Sequence, residues 1–183
     1  MDAGAGLLEV LDGLPGPTRV LCDVATRLYD APRLFGPQKG ATPGQVEELE
    51  RRFRGLRELA PYADLLGSGA AGGLGAALAL LGAELVPGAK AVLDLLAFDP
   101  APYDLVVTGE GQVDETTWEG KAPAAVVGRC LAERVHCVVF GGRVSGTVPP
   151  GTDLVALSGD PARAREDLVE LGRTLGGAAI GGA

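Results

Sequence analysis

The sequence predicts an α/β fold, with strands and helices alternating around a mostly parallel sheet, and three observations lead there. Short apolar runs of strand length alternate with segments whose apolar residues recur at helical spacing. Twenty-nine glycines and only 4% aromatic residues turn the core toward Ala, Leu and Val and imply many tight turns and close backbone approaches. Asp23, the stretch Thr108 to Asp114 and Gly141-Gly142 fall at or just beyond the carboxyl ends of apolar runs, where ligands gather in such sheets.

Taken in chain order, Arg19 to Val24 follows the turn Pro15-Gly16-Pro17 and reads as the first strand, with Asp23 near its end. The loop Phe35 to Gly40 leads to Thr42-Pro43. Thr42 suits an N-cap, Pro43 the first helical position, and Gln45 completes a capping box. Val46, Leu49, Phe53, Leu56 and Leu59 then continue as one apolar helical face. Gly67 to Gly75 reads as a turn opening into a helix that runs to about Leu81, packed through small residues. After Val86-Pro87-Gly88 a helix through Val92, Leu93, Leu95 and Leu96 precedes a buried strand, Asp104 to Val107. Gly109 and Gly111 let a loop leave that strand. Lys121 to Arg134 reads as a helix, Val135 to Phe140 as a strand ending in Gly141-Gly142, and Asp153 to Leu157 as a shorter strand before a final helix capped at Asp160-Pro161. Composition marks no internal boundary, so residues 1–183 are read as a single region with a Gly/Ala-rich end at 176–183 expected to fray.

The 183 residues suffice for a sizeable core, and 46% hydrophobic with 22% charged content is that of a soluble globular protein. A net charge of −8 argues against nucleic acid and against an anionic membrane as partners, because both need a basic surface. Cys22, Cys130 and Cys137 are odd in number and lack metal-ligand spacing; they read as buried thiols in a reducing cytoplasm. No basic region followed by a signal-like apolar core opens the chain.

The stretch Thr108-Gly109-Glu110-Gly111-Gln112-Val113-Asp114, followed by Gly120-Lys121, carries the chemistry. Glu110 and Asp114 offer hard oxygen ligands for a divalent metal, and Lys121 neutralises phosphate; the competing reading is a glycine turn with solvated charges. Gly69, Gly72, Gly73 and Gly75 either aim backbone N–H groups at an anion or permit close helix packing, and without a Walker-type lysine the packing reading is preferred. Gln38 and Lys39, before a capped helix, suit a small carboxylate or phosphate, or a plain helix-entry loop. Asp23 is a ligand-end carboxylate or a turn residue. His136 lies inside an apolar run and is given no chemistry, and Ser68, Ser145 and Cys22 show no nucleophile pattern.

Cys22-Asp23-Val24, Phe35 to Thr42, Gly67 to Gly75, and Thr108 to Asp114 with Gly120-Lys121-Ala122-Pro123 occur in the order found in the bacterial glycerate kinase family, which the chain resembles from about Thr18 to Gly142. The resemblance implies ATP-dependent phosphorylation of D-glycerate with Mg²⁺, in a two-part α/β fold with its active site in a cleft. It implies that Asp23, Lys39, Asp114 and Lys121 are catalytic, and that Glu110 and Asp114 hold the metal. Gly69, Gly72, Gly73, Gly75, Gln38, Thr108, Gly109 and Gly111 are implied to contact substrate or phosphate. Asp114 is the favoured partner of the glycerate hydroxyl, with Asp23 the other candidate.

What is matched corresponds to the second half of the usual family chain. The family's Asp-Ser-Phe-Lys-Gly and Gly-Gly-Ser-Ala-Thr-Asn-Asp motifs do not occur, and its Asn-Pro after Cys22-Asp23-Val24 gives way to Ala25-Thr26-Arg27-Leu28. The N-terminal half of the fold is therefore expected to be lacking. The competing expectation is a non-catalytic small-anion-binding or oligomerisation module, acting as a homo-oligomer or with a complementing chain.

Overall fold

A computed structural model describes residues 13–180; the opening Gly/Ala segment and residues 181–183 of the expected tail lie outside the described residues, while 176–180 continue the last helix. The chain divides into two compact units at Ala97/Phe98, a boundary that composition does not mark.

In the first unit, β1 (Arg19–Cys22) pairs in parallel with β2 (Glu84–Pro87), Arg19 opposite Glu84 and Cys22 opposite Pro87. β2 adds to the sequence reading, which places no strand ahead of the helix that follows Val86-Pro87-Gly88. Its four residues end in proline, and its partner strand lies more than sixty residues away, so no local pattern announces it. Between the strands come α1 (Ala31–Phe35), a 3-10 turn (Pro37–Lys39), α2 (Pro43–Gly55), a second 3-10 segment (Arg57–Tyr62) and α3 (Ala70–Leu80); α4 (Gly88–Leu95) follows β2.

The start of α2 is as expected. The Thr42 hydroxyl accepts from the Gln45 N–H, the Gln45 side chain accepts from the Thr42 N–H at 2.8 Å, and Pro43 occupies the first helical position. The apolar face does not continue unbroken, because the helix ends at Gly55 and Leu59 reaches the core from the 3-10 segment. Leu28, Phe53, Leu59, Ala63, Ala76 and Ala77 form that core; full burial of a side chain such as Phe53 contributes about 1.5–3 kcal/mol. Ser68 is buried within it, accepting from Leu28 N–H and donating to Ala63 C=O, each at 2.8 Å.

The glycine cluster divides by role. A Cβ on Gly69 would sit 2.4 Å from the Arg27 carbonyl oxygen, and one on Gly75 would sit 2.2 Å from that of Gly67. Both glycines serve close packing. Ala71, Gly72 and Gly73 instead have positive φ angles of 49°, 70° and 86°, which break the first turn of α3 and turn that segment outward from a regular helix.

In the second unit β3 (Leu105–Val113), β4 (His136–Val144) and β5 (Thr152–Ala156) lie side by side in that order, all parallel. After β3 come a 3-10 turn (Glu115–Glu119) and α5 (Ala122–Glu133); residues 145–151 join β4 to β5, and a 3-10 turn (Pro161–Arg163) leads into α6 (Ala164–Ile180). Val113, Val127, Cys130, Cys137 and Val139 form the core. Both core thiols are free. Burial, with Cys130 alongside, pushes the Cys137 thiol up to about 12, so it packs as an inert apolar group.

Here too the structure corrects an expectation. No loop leaves the strand at Gly109: β3 runs on through the motif to Val113, and β4 runs through Gly141-Gly142 to Val144. The parallel ladder supplies partners for both backbones, and Gly109 is needed because a Cβ there would lie 2.4 Å from the Phe140 carbonyl oxygen and 2.6 Å from its ring. His136 does open β4, but its side chain is exposed and meets Asp153 at 2.9 Å.

Two substitutions separate packing glycines from open ones. Gly75→Ala drives a methyl into backbone and is expected to cost about 1–3 kcal/mol in urea unfolding. Gly111→Ala, with nothing within 4 Å of its Cβ, is expected to change stability by less than about 0.5 kcal/mol. Equal unfolding midpoints for the two variants would contradict this assignment.

Candidate functional site

In the second unit, Glu110, Asp114 and Lys121 are brought together by two threonine hydroxyls. The end of β3 carries Glu110 and Gln112, and Asp114 caps the 3-10 turn that follows. Thr117, fully buried, donates its hydroxyl proton to Glu110 Oε1 and accepts from the Asp114 N–H at 3.0 Å, while its own N–H returns to the Asp114 carbonyl at 3.0 Å. Thr116 donates to Asp114 Oδ1 through its N–H (2.9 Å) and its hydroxyl (2.6 Å). Lys121 Nζ donates to the same Thr116 hydroxyl at 2.8 Å, and Gln112 Nε2 reaches Asp114 Oδ2 at 3.2 Å.

The electrostatic consequence falls on Asp114. The Thr116 hydroxyl is the largest cause holding its carboxyl below the usual carboxylate range. The Thr116 N–H, the Lys121 ammonium and the Gln112 amide act in the same direction, against an opposing effect of partial burial. Asp114 is thus a fixed anion of low basicity. Lys121 stands at the N-cap of α5 without capping it by its side chain, so its ammonium is directed to the Asp114 turn.

Among the described residues no group of three or more His, Cys, Asp or Glu side chains gathers to hold a metal ion. Magnesium in phosphoryl-transfer sites is held through one or two carboxylates, with phosphates and water completing the octahedron. Glu110 and Asp114 fit that demand: both are hard oxygen donors, and Glu110 Oε2 has no hydrogen-bond partner among the described residues.

In the first unit, Asp23, Lys39 and Gly72 line one cleft of about 160 Å³ together with Phe35, Phe53 and Ala71. The end of β1 positions Asp23, the 3-10 turn before α2 carries Lys39, and the positive-φ segment supplies Gly72. Neither Asp23 nor Lys39 has a side-chain hydrogen bond or ion pair among the described residues, so one anion and one cation remain available across an apolar floor. A Cβ on Gly73 would lie 3.0 Å from Leu28, Gln38 is exposed on the 3-10 turn, and Thr108 sits in the ladder opposite Val139. Gly111 lines a cavity in the second unit with Gly142 and Gly159.

Sequence reasoning missed Thr116 and Thr117. Their signal was local: an aspartate followed at the second and third positions by threonines is a capping pattern, in which short hydroxyl side chains satisfy the first backbone donors. Among the described residues no helix is long and apolar enough to cross a membrane.

The sequence profile of the Glycerate kinase family matches residues 16–154, a span that includes every residue of both clusters. The chain is 41% identical over 135 residues to the glycerate 2-kinase of Escherichia coli strain K12, covering 67% of this chain and 35% of the relative. It is 37% identical over 136 residues to a glycerate kinase of Bacillus cereus, covering 68% and 36% respectively. The match therefore spans about a third of the length of these relatives. A crystal structure from Salmonella typhimurium LT2 described as glycerate kinase 2 aligns with a TM-score of 0.61 and 32% identity, over 91% of this chain and 49% of that one.

Because the Asp114 carboxyl is held low in the folded state, its contribution to stability is present above the unfolded carboxylate pKa. It is lost as pH falls through the lower folded value. Thr116→Val removes the leading cause and is expected to raise the Asp114 pKa toward the ordinary carboxylate value, read by carbon-13 NMR titration of the side-chain carboxyl. An unmoved pKa would show that the hydroxyl does not set it.

Proposed function

The chain belongs to the glycerate kinase family, and on that premise we propose that it carries the phosphoryl-transfer residues of an ATP-dependent kinase acting on D-glycerate. The observation that carries this reading is the joining of Glu110, Asp114 and Lys121 through Thr116 and Thr117, which yields two oxygen donors and a cation at the carboxyl end of a parallel strand. Bound by Glu110 and Asp114 together with the donor's phosphates, Mg²⁺ would draw negative charge from the transferring group. Lys121 neutralises phosphate oxygens at the N-terminus of α5, where the helix dipole acts in the same sense.

D-Glycerate is assigned to the cleft of the first unit. Lys39 pairs with its carboxylate, and Asp23 accepts a hydrogen bond from a hydroxyl of the acid. This shifts the hydroxyl role from Asp114, favoured on sequence, to Asp23. The oxygens of Asp114 already accept three hydrogen bonds and its basicity is reduced, whereas those of Asp23 are unengaged among the described residues. In the reaction the attacking oxygen forms a bond to the terminal phosphorus of ATP, the bond from that phosphorus to the bridging oxygen breaks, and the hydroxyl proton is released. The electrostatic work falls on side chains held before substrate arrives. The reading places the protein in the cytoplasm, with ATP.

A second reading, a docking module that acts with further family polypeptide, draws on Val92 and Leu95 of α4 and Leu96 at its C-cap, exposed by 41%, 85% and 69%. Size-exclusion chromatography with light scattering, run beside an assay of ATP- and D-glycerate-dependent ADP release, distinguishes the two.

Asp114→Asn is expected to lower kcat by about 10²-fold or more, with little change in the KM for glycerate. Lys39→Met is expected to raise that KM by about ten-fold or more. Wild-type turnover in a folded Asp114→Asn protein would overturn the assignment.

A further inference from the structure

We propose that the second unit seats the purine nucleoside of the phosphoryl donor in the cavity at the carboxyl ends of β3, β4 and β5, a proposal that rests on the phosphoryl-transfer reading of the neighbouring loop. The cavity encloses about 560 Å³, against about 160 Å³ for the cleft of Asp23 and Lys39. Small-molecule pockets for ligands the size of a nucleoside run from about 300 to 1,000 Å³, so the larger space suits a ring system and the smaller one a three-carbon acid.

The walls have the chemistry of a base site. Leu157, Pro161 and Ala164 supply apolar surface for the faces of a flat ring. Gly111, Gly142 and Gly159 carry no side chains, so backbone comes close to whatever occupies the space. The β3–β4 ladder pairs Glu110 with Gly141 and Gln112 with Arg143 but skips Gly111 and Gly142, so the pairing is interrupted where the cavity begins. Gly159, with φ of 75°, turns the chain back beside the Gly142 carbonyl oxygen.

Charge orients the occupant. Asp160 and Asp167 both line the cavity, and two carboxylates oppose a polyphosphate inside it. Asp167 is occupied by Ser158, which donates both its N–H and its hydroxyl, and by Arg163. Asp160 uses Oδ1 to cap Ala162, which leaves Oδ2 to accept from a ribose hydroxyl. Arg143, exposed and without an ion pair among the described residues, stands at the rim for phosphate. Gln112 supplies the direction: it lines the cavity and donates to Asp114 Oδ2, so one hydrogen bond separates the nucleoside seat from the carboxylate assigned to magnesium and phosphate.

The test uses the full chain, with binding read by calorimetry so that turnover is not required. Gly111→Val projects methyl groups into open space, and Ala164→Phe fills the same cavity from α6. Each is expected to weaken Mg·ADP binding by about ten-fold or more, with inorganic pyrophosphate binding and the urea midpoint unchanged. Adenosine alone, added to the wild-type chain, is expected to shift the amide resonances of Gly111, Gly142 and Gly159. Wild-type ADP affinity in both variants, equal losses for ADP and pyrophosphate, or adenosine leaving those three resonances unmoved would overturn the proposal. The function and the seat fail separately. A chain that binds ADP as described but never phosphorylates glycerate contradicts the function alone, and turnover with an unchanged KM for ATP in Gly111→Val contradicts the seat alone.

Discussion

The buried hydroxyl of Thr117 is the contact on which the candidate chemistry depends. It accepts from the Asp114 backbone and donates to the Glu110 carboxylate, fixing the end of β3 and the following turn against each other. Because the group is buried, an oxygen or proton left unpaired there would cost about 1–3 kcal/mol, so the arrangement is strongly specified. Thr116 extends it to Lys121. Two small hydroxyls thereby hold an anion pair and a cation in one geometry before any ligand arrives, which is what stabilising charge on a transferring phosphoryl group requires.

A second constraint comes from parallel pairing. Once β3 and β4 lie in register, residues 109 and 141 must lack side chains. A Cβ at either would collide with neighbouring backbone, at 2.4 Å from the Phe140 carbonyl oxygen in one case and 2.7 Å from that of Arg143 in the other. Those glycines are thus structural, whereas Gly111 has open space before it and borders a cavity. The same division runs through the first unit. Gly69 and Gly75 allow backbones to touch, while Gly72, in left-handed conformation, lines a cleft. One residue type serves packing and ligand access within a few positions.

This explains what was legible in the sequence. The capping box at Thr42 and Gln45 and the helix read from Lys121 to Arg134 depend on residues a few positions apart, and both were readable. β2 was not, because its partner lies at the other end of the unit and its own four residues carry a proline. The continuation of β3 through Gly109 was hidden for a related reason: glycine signals a turn locally, and only pairing with β4 and the approach of Phe140 reverse that signal. Glu110, Asp114 and Lys121 were legible as charges at suggestive spacing. Thr116 and Thr117 were not selected, since threonine after aspartate is common in turns and its importance here lies in burial. The segment from Leu157 to Asp167 was legible as a strand end and a capped helix start, but not as the far wall of the cavity that Gly111 and Gly142 also line.

The central claim is that Glu110 and Asp114 together hold the metal that accompanies the donor's phosphates. Paramagnetic broadening of amide resonances by Mn²⁺, substituted for Mg²⁺ in the presence of ADP, tests it most directly. The account predicts selective broadening centred on Glu110, Asp114 and Thr116 that disappears in Glu110→Gln and in Asp114→Asn. Broadening centred elsewhere in the chain, or unchanged in both variants, would contradict it.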